Sequence, residues 1–173
     1  MKELSLHVLD IAQNAVRAEA ARLSIALERC GGMLTITITD DGCGMSEDFL
    51  KGVTDPFVTT RTTRRVGMGL PLYKLAAEQA GGSFAIRSRQ GEGHGTVVTA
   101  TFDTGNIDCP PLGDMTETVI TLLQGNPSLA LDYSCAGEDG EKRLSTDEMR
   151  EFLGGVPLNA PEVLDWVRDY LCD

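Results

Sequence analysis

The 173-residue chain is poor in aromatic residues, which make up 5% of it, and it holds only two histidines, His7 and His94. Its five cysteines, Cys30, Cys43, Cys109, Cys135 and Cys172, are widely spaced and include no C-x-x-C pair. That set supports neither a structural zinc site nor a disulfide framework. No apolar run approaches the roughly 20 residues of a membrane span, and Met1-Lys2-Glu3-Leu4 lacks a signal-peptide core, so a cytoplasmic protein without membrane association is expected. Positive charge is short as well: 15 Lys/Arg stand against 26 Asp/Glu, for a net charge of −11 at pH 7. Phosphate-backbone binding needs clustered positive charge, so nucleic acid is excluded as an expected partner. The P-loop pattern G-x-x-x-x-G-K-[ST] is missing too.

What is present suits an ordinary globular fold. The hydrophobic fraction is 42% and the charged fraction 24%, in a chain long enough for one domain, or one domain with an appendage. The charge is unevenly placed, with 11 Lys/Arg against 12 Asp/Glu in residues 1–104 and 4 against 14 in residues 105–173. The acidic excess therefore belongs to the second segment, which is expected to be a small α+β appendage offering its charge to a basic protein surface.

Residues 3–20 carry a helical pattern, with Leu6, Leu9, Val16 and Ala20 on one stripe and Asp10, Asn14 and Arg17 on another. Asparagine is a poor helix former, so something other than helix formation can account for Asn14. Arg22–Arg29 and Met33–Asp40 alternate as a hairpin around Cys30-Gly31-Gly32. The second strand ends in Asp40-Asp41-Gly42-Cys43-Gly44-Met45, where a carboxylate can face a pocket and glycines let backbone approach a ligand. A short helix over Ser46–Val53 precedes Asp55-Pro56-Phe57-Val58-Thr59-Thr60-Arg61, and residues 62–66 read as a lid. Gly67-Met68-Gly69-Leu70-Pro71-Leu72 then opens a helix reaching about Ala80. It is not a dinucleotide fingerprint, because no strand precedes it and Leu72 replaces the third glycine. Strands are expected at Ser83–Arg89 and Thr96–Asp103.

Beyond Gly105, Pro110-Pro111 marks a linker or edge, followed by a helix over Met115–Gln124, a strand over Ala130–Cys135 and a turn at Glu138–Glu141. Ser145-Thr146-Asp147-Glu148 has the form of a capping box for a helix to Leu153, and Pro161 starts another to Leu171. Asp139-Gly140 does not make an EF-hand, because Cys135 and Gly137 stand where its first two carboxylates belong.

Asn14, the Asp40–Gly44 box, the Asp55–Arg61 segment and the Gly67–Leu70 box together resemble, over residues 3–103, the Bergerat-fold ATPase superfamily. That superfamily includes gyrase, heat-shock chaperone, histidine-kinase and mismatch-repair ATPases. Within it, the resemblance is to histidine-kinase-like ATP-binding domains and anti-sigma-factor kinases. It implies an α/β two-layer sandwich, a mixed sheet under helices, with ATP and Mg²⁺ bound between the Asn14 helix and the lid.

By that resemblance Asn14 supplies an amide oxygen to Mg²⁺, and Asp40 accepts the adenine amine, helped through water by Thr96. Met45 packs on the base. Gly42, Gly44, Phe57, Thr60, Arg61, Gly67, Met68, Gly69 and Leu70 hold the nucleotide, with Arg64 and Arg65 beside the triphosphate. Asp10 takes the catalytic place that is glutamate in many relatives and asparagine in many histidine kinases, and its shorter arm departs from both. The implied function is transfer of the γ-phosphate to a separate phosphoacceptor or regulatory protein. The alternatives are an ATP-gated interaction module with little hydrolysis and an anti-sigma-factor-type serine kinase.

Overall fold

A computed structural model describes residues 3–53 and 69–172 of the chain. The elements are α1 (Leu4–Arg17), β1 (Arg22–Cys30), β2 (Met33–Asp40), α2 (Glu47–Val53), α3 (Gly69–Gln79), β3 (Phe84–Arg89), β4 (Gly95–Asp103), α4 (Met115–Gly125), β5 (Ala130–Gly137), β6 (Gly140–Ser145), α5 (Thr146–Leu153) and α6 (Pro161–Cys172). The six strands form one mixed sheet in the order β3-β4-β2-β1-β5-β6. All neighbours are antiparallel except β1 and β5, which run parallel. The architecture is the expected α/β sandwich.

Strand alternation sorts the two faces of this sheet. Leu23, Ile25 and Leu27 of β1, Leu34, Ile36 and Ile38 of β2, and Val98, Ala100 and Phe102 of β4 are buried together. The opposite face carries Thr35, Thr37 and Thr39, registered against Thr101, Thr99 and Val97. On the buried face α1 packs beside α3 on one flank and α4 on the other, and α6 packs on α4. The hairpin of β1 and β2 turns through Gly31 and Gly32 at φ +58° and +80°, the left-handed pair a two-residue turn requires.

Helix α1 buries a different face from the one its stripe suggests. Leu4, His7, Val8, Ile11, Ala12 and Ala15 are inside, while Leu6 is 45% exposed beside the polar stripe. With the sheet below and helices on both flanks, the buried arc is wide and takes in small and polar residues that a four-residue apolar stripe passes over. The helix also stops at Arg17, because Glu19 adopts φ +60°.

Residues 105–173 extend the same sheet. Arg22 to Glu28 pair with Ala130 to Ala136, and β6, a strand not foreseen from the sequence, adds the outer edge. The Pro110-Pro111 segment is bound to the helix layer: the Pro111 and Leu112 carbonyls accept from the N–H groups of Leu4 and Ser5. Those donors open α1 and would otherwise have no partner within the helix. Ser145 caps α5 through Glu148 N–H, and Asp114 caps α4 through Glu117 N–H.

Because β5 completes β1 and α4 covers a flank of α1, a chain cut after Thr104 is expected to lose cooperative folding. Calorimetric melting of residues 1–104 tests this; a cooperative transition within a few degrees of the full chain would contradict it. A second outcome concerns His7, which lies buried with its ring 5.6 Å from Tyr73 and has Nδ1 unpartnered among the described residues. Burial lowers its pKa to about 4. The unfolded chain therefore takes up this proton first, so stability is full above about pH 6.5 and declines by at most roughly 3 kcal/mol as pH falls toward 4. His7→Leu should flatten that part of the pH profile in denaturant titrations, and an unchanged slope would assign the loss to other groups.

Candidate functional site

The site grows from the end of β2. Alternation that turns Ile36 and Ile38 toward the helices also turns Asp40 inward and Asp41 outward. Asp41 is committed to structure: its Oδ1 accepts from the N–H groups of Ala21 at 2.8 Å and Arg22 at 2.9 Å. Among the described residues, Asp40 Oδ1 accepts one bond, from Gly42 N–H at 2.8 Å. Burial raises the Asp40 pKa, the Gly42 N–H opposes the shift, and the neighbouring Asp41 charge adds to it. A half-buried acceptor with unused lone pairs is thus held at the open end of the core.

Asp40 is registered against Thr96 on β4, and Thr96 against Ser88 on β3. Ser88 Oγ and Thr96 Oγ1 are 2.7 Å apart, and Ser88 Oγ accepts from Met45 N–H at 2.8 Å and donates to the Gly95 carbonyl at 3.2 Å. A polar row, Ser88-Thr96-Asp40, therefore crosses three strands where the apolar rows end. Met45 is half-buried at its side.

The loop after Asp40 is pinned from three directions. Cys43 N–H donates to the Ala18 carbonyl at 2.9 Å, and His94 Nδ1 lies 2.7 Å from the Gly42 carbonyl. Gly44 has φ +74°, and a Cβ there would overlap the Arg89 carbonyl. Only glycine satisfies both conditions.

Ala18 N–H donates to the Asn14 carbonyl, so the loop rests one turn from Asn14. Asn14 Oδ1 accepts from Arg17 Nη1 at 2.9 Å, while Nδ2 is buried without a partner among the described residues. One turn earlier, Asp10 fills the space where a Cβ on Gly69 would sit, which sets α1 close against the start of α3. Leu70 is buried beside it. Among the described residues no group of three or more His, Cys, Asp or Glu could hold a metal by itself.

The structure thus brings Asp40, Gly42, Gly44, Met45 and Thr96 together around the exit of β2, and Asp10 against Gly69 and Leu70 where α1 meets α3. Phe57, Thr60, Arg61, Gly67 and Met68, like Arg64 and Arg65, lie outside the described residues. The roles of Ser88, His94 and Asp41 are not evident in the sequence. Ser88 was within reach, since it follows Phe84 and Ile86 in the β3 alternation; the anchoring by Asp41 depends on a tertiary contact with residues 21 and 22.

Residues 2–106 match the family described as histidine kinase-, DNA gyrase B- and HSP90-like ATPase. The chain belongs to that ATPase family, and its domain is of the histidine-kinase type. Over 92 residues it is 40% identical to an uncharacterised sensor-like histidine kinase of Rhizobium meliloti (strain 1021), covering 50% of this chain and 17% of that protein. Over 88 residues it is 30% identical to the sensor histidine kinase ZraS of Escherichia coli (strain K12), covering 50% and 19%. The chain thus spans less than a fifth of these relatives.

Among solved structures, the N-terminal domain of a DNA repair protein superposes with a TM-score of 0.59 at 15% identity, covering 84% of this chain and 52% of that one. The Aquifex aeolicus MutL ATPase domain complexed with ADP gives 0.55 at 14% identity, covering 89% and 70%. At these identities the likeness establishes the fold. No helix among the described residues is long and apolar enough to cross a membrane.

Gly44→Ala combines left-handed strain with the overlap on Arg89 and should cost about 3 kcal/mol or more, whereas Gly91→Ala, at φ +77° in open space, should cost about 1. Urea unfolding of both variants measures the difference. Equal losses would show that the loop moves off Arg89 freely.

Proposed function

We propose that this chain binds ATP with Mg²⁺ and passes the γ-phosphate to a separate protein, as a histidine-kinase-like catalytic domain. The observation that carries the reading is the inequality of the two aspartates: Asp41 is exposed and anchors Ala21 and Arg22 through Oδ1, whereas Asp40 is half-buried beside Thr96 and, among the described residues, keeps acceptor capacity there. An ionised carboxylate accepts from the exocyclic amine of adenine and repels the carbonyl that guanine presents there. Thr96 carries a hydroxyl on the same row, suited to a water shared with Asp40. Met45 covers the base, and Gly69 and Leu70, with the preceding Gly67 and Met68, receive the phosphates.

Asn14 fits a phosphate-borne Mg²⁺. Its amide oxygen has a second lone pair beyond the one Arg17 uses, and its buried nitrogen has no partner among the described residues. Mg²⁺ bound on phosphates needs only one or two protein oxygens. When bound, the ion would neutralise phosphate charge. Arg17 orients the Asn14 amide, and Asp10 stands one turn away against Gly69.

His7 is buried against Tyr73 and is unsuited to accept a phosphoryl group. His94 Nδ1 is engaged with the Gly42 carbonyl, at the edge of the candidate site. In the proposed transfer the acceptor atom bonds to the γ-phosphorus as the bridging bond to ADP breaks. A serine acceptor must lose its proton, for which Asp10 is the available base; a histidine ring nitrogen needs no such help. The short Asp10 side chain favours the second reading, an ATP-gated interaction module, if no acceptor is found.

Incubation with γ-labelled ATP, with and without Asp10→Asn, separates these readings. Label is expected on a second protein, with little free phosphate released. Its persistence in Asp10→Asn identifies a histidine acceptor and its loss a serine. Asn14→Ala should weaken ATP in Mg²⁺ at least tenfold while leaving adenosine binding unchanged. Bound ATP with neither labelled protein nor released phosphate would contradict transfer and leave the module.

A further inference from the structure

A chain with nine aromatic residues places three of them, Phe152, Trp166 and Tyr170, exposed around one groove far along the sheet from Asp40. The groove, of about 750 Å³, runs between α5 and α6 against β6 and is lined mainly by Met149, Phe152, Val156, Val163, Trp166 and Tyr170. Phe152 is 90% exposed and Trp166 53%. Trp166 and Tyr170 stack with centroids 5.2 Å apart and planes within 5°, so one wall is a preformed aromatic face. Apolar surface concentrated this way on a folded chain marks a contact site.

The charges around it choose the partner. Helices α5 and α6 carry six carboxylates and two arginines. Both arginines are committed within the chain. Arg150 donates to the Pro127 and Leu129 carbonyls and pairs with Asp147, and Arg168 pairs with Glu117 and Asp165. Glu148, Glu151, Glu162 and Asp169 have no ion-pair partner among the described residues, and Glu148 and Glu162 line the groove itself. Arg143 is the one cation on the lining among the described residues, 4.0 Å from Glu141. An apolar trough between free carboxylates is complementary to an apolar stripe flanked by lysine or arginine.

Strand addition is the less suitable mode. β6 is the edge of the sheet, yet its Arg143 carbonyl is already bonded by Tyr170 Oη at 2.9 Å, and the C-terminal end of α6 reaches that edge with Lys142 Nζ on the Tyr170 carbonyl. A groove walled by two helices matches the spacing of i, i+3, i+4 and i+7 anchors on a third.

We propose that this groove binds an amphipathic helix of another protein, its apolar face on Phe152 and Trp166 and its basic flanks on Glu148 and Glu162. The surface is separate from the nucleotide reading and does not depend on it. Recruitment here would bring a basic partner to the same molecule while leaving the site at Asp40 open.

Trp166 is the sole tryptophan of the chain, so its emission reports on the groove directly. Two synthetic sixteen-residue helical peptides are titrated against the full chain, with identical leucine faces, no tryptophan or tyrosine, and either lysine or glutamate flanks. The lysine peptide is expected to shift Trp166 emission to the blue and to bind at least tenfold more tightly than the glutamate peptide, with the advantage shrinking as salt rises. Phe152→Asp, at a position too exposed to disturb folding, should weaken it at least tenfold with circular dichroism unchanged. The double variant Glu148→Lys with Glu162→Lys should reverse the preference, and Asp40→Asn should leave it intact. Equal binding of both peptides, or no change in emission with either, overturns the proposal. Sedimentation of the unliganded chain as a dimer that Phe152→Asp dissociates would assign the groove to a second copy and overturn it as well.

Discussion

The exit of β2 is the constraint on which the rest of the site depends. Two successive carboxylates leave the same strand on opposite faces, so one can anchor the chain while the other stays available. Asp41 fixes the loop to residues 21 and 22, and this allows Asp40 to remain half-buried with one hydrogen bond among the described residues. A carboxylate at that depth is costly to keep charged, as the upward direction of its pKa shows, and an added donor from a ligand would offset that cost. Gly44 and the Ser88–Met45 bond then hold the loop, and through Ala18 the same loop sets the end of α1 on which Asn14 stands.

Local signals were legible where a pattern and its physical cause lie within a few residues. The hairpin around Gly31-Gly32, the alternation leading to Asp40, and the capping box at Ser145 each appear where the sequence places them. What could not be read is tertiary. The face of α1 that is buried depends on having helices on both flanks, and Leu6, which fits an apolar stripe by spacing, lies outside as a result. Strand β6 carries Glu141, Lys142 and Arg143 around one buried residue, Leu144. As an edge strand it needs little apolar surface, so it offers no alternation to detect. At the site, Asp40 and Thr96 were legible by resemblance, whereas the partnership of Ser88, Thr96 and Met45 required the register of β3 on β4.

The change in charge at Gly105 is a change of surface and not of sheet. β5 pairs in parallel with β1, and Arg22 of β1 bridges Asp132 on β5 and Asp147 on α5. These exposed pairs contribute little energy; the buried residues of α4, such as Val119 and Leu122, hold the segment to the core. A nearly neutral half thus bears the polar row, and an acidic half bears an aromatic groove, on one continuous sheet. The proposed nucleotide site and the proposed protein contact are thereby spatially separated within a small chain.

The most direct measurement is titration calorimetry of ATP and GTP in the presence of Mg²⁺ with wild-type protein and Asp40→Asn. Asp40 as the adenine acceptor predicts that the wild type binds ATP and discriminates strongly against GTP. Asp40→Asn should lose on the order of 2 to 4 kcal/mol of ATP affinity, with circular dichroism unchanged. Equal affinity for the two nucleotides in the wild type, or undiminished ATP binding in the variant, would contradict it.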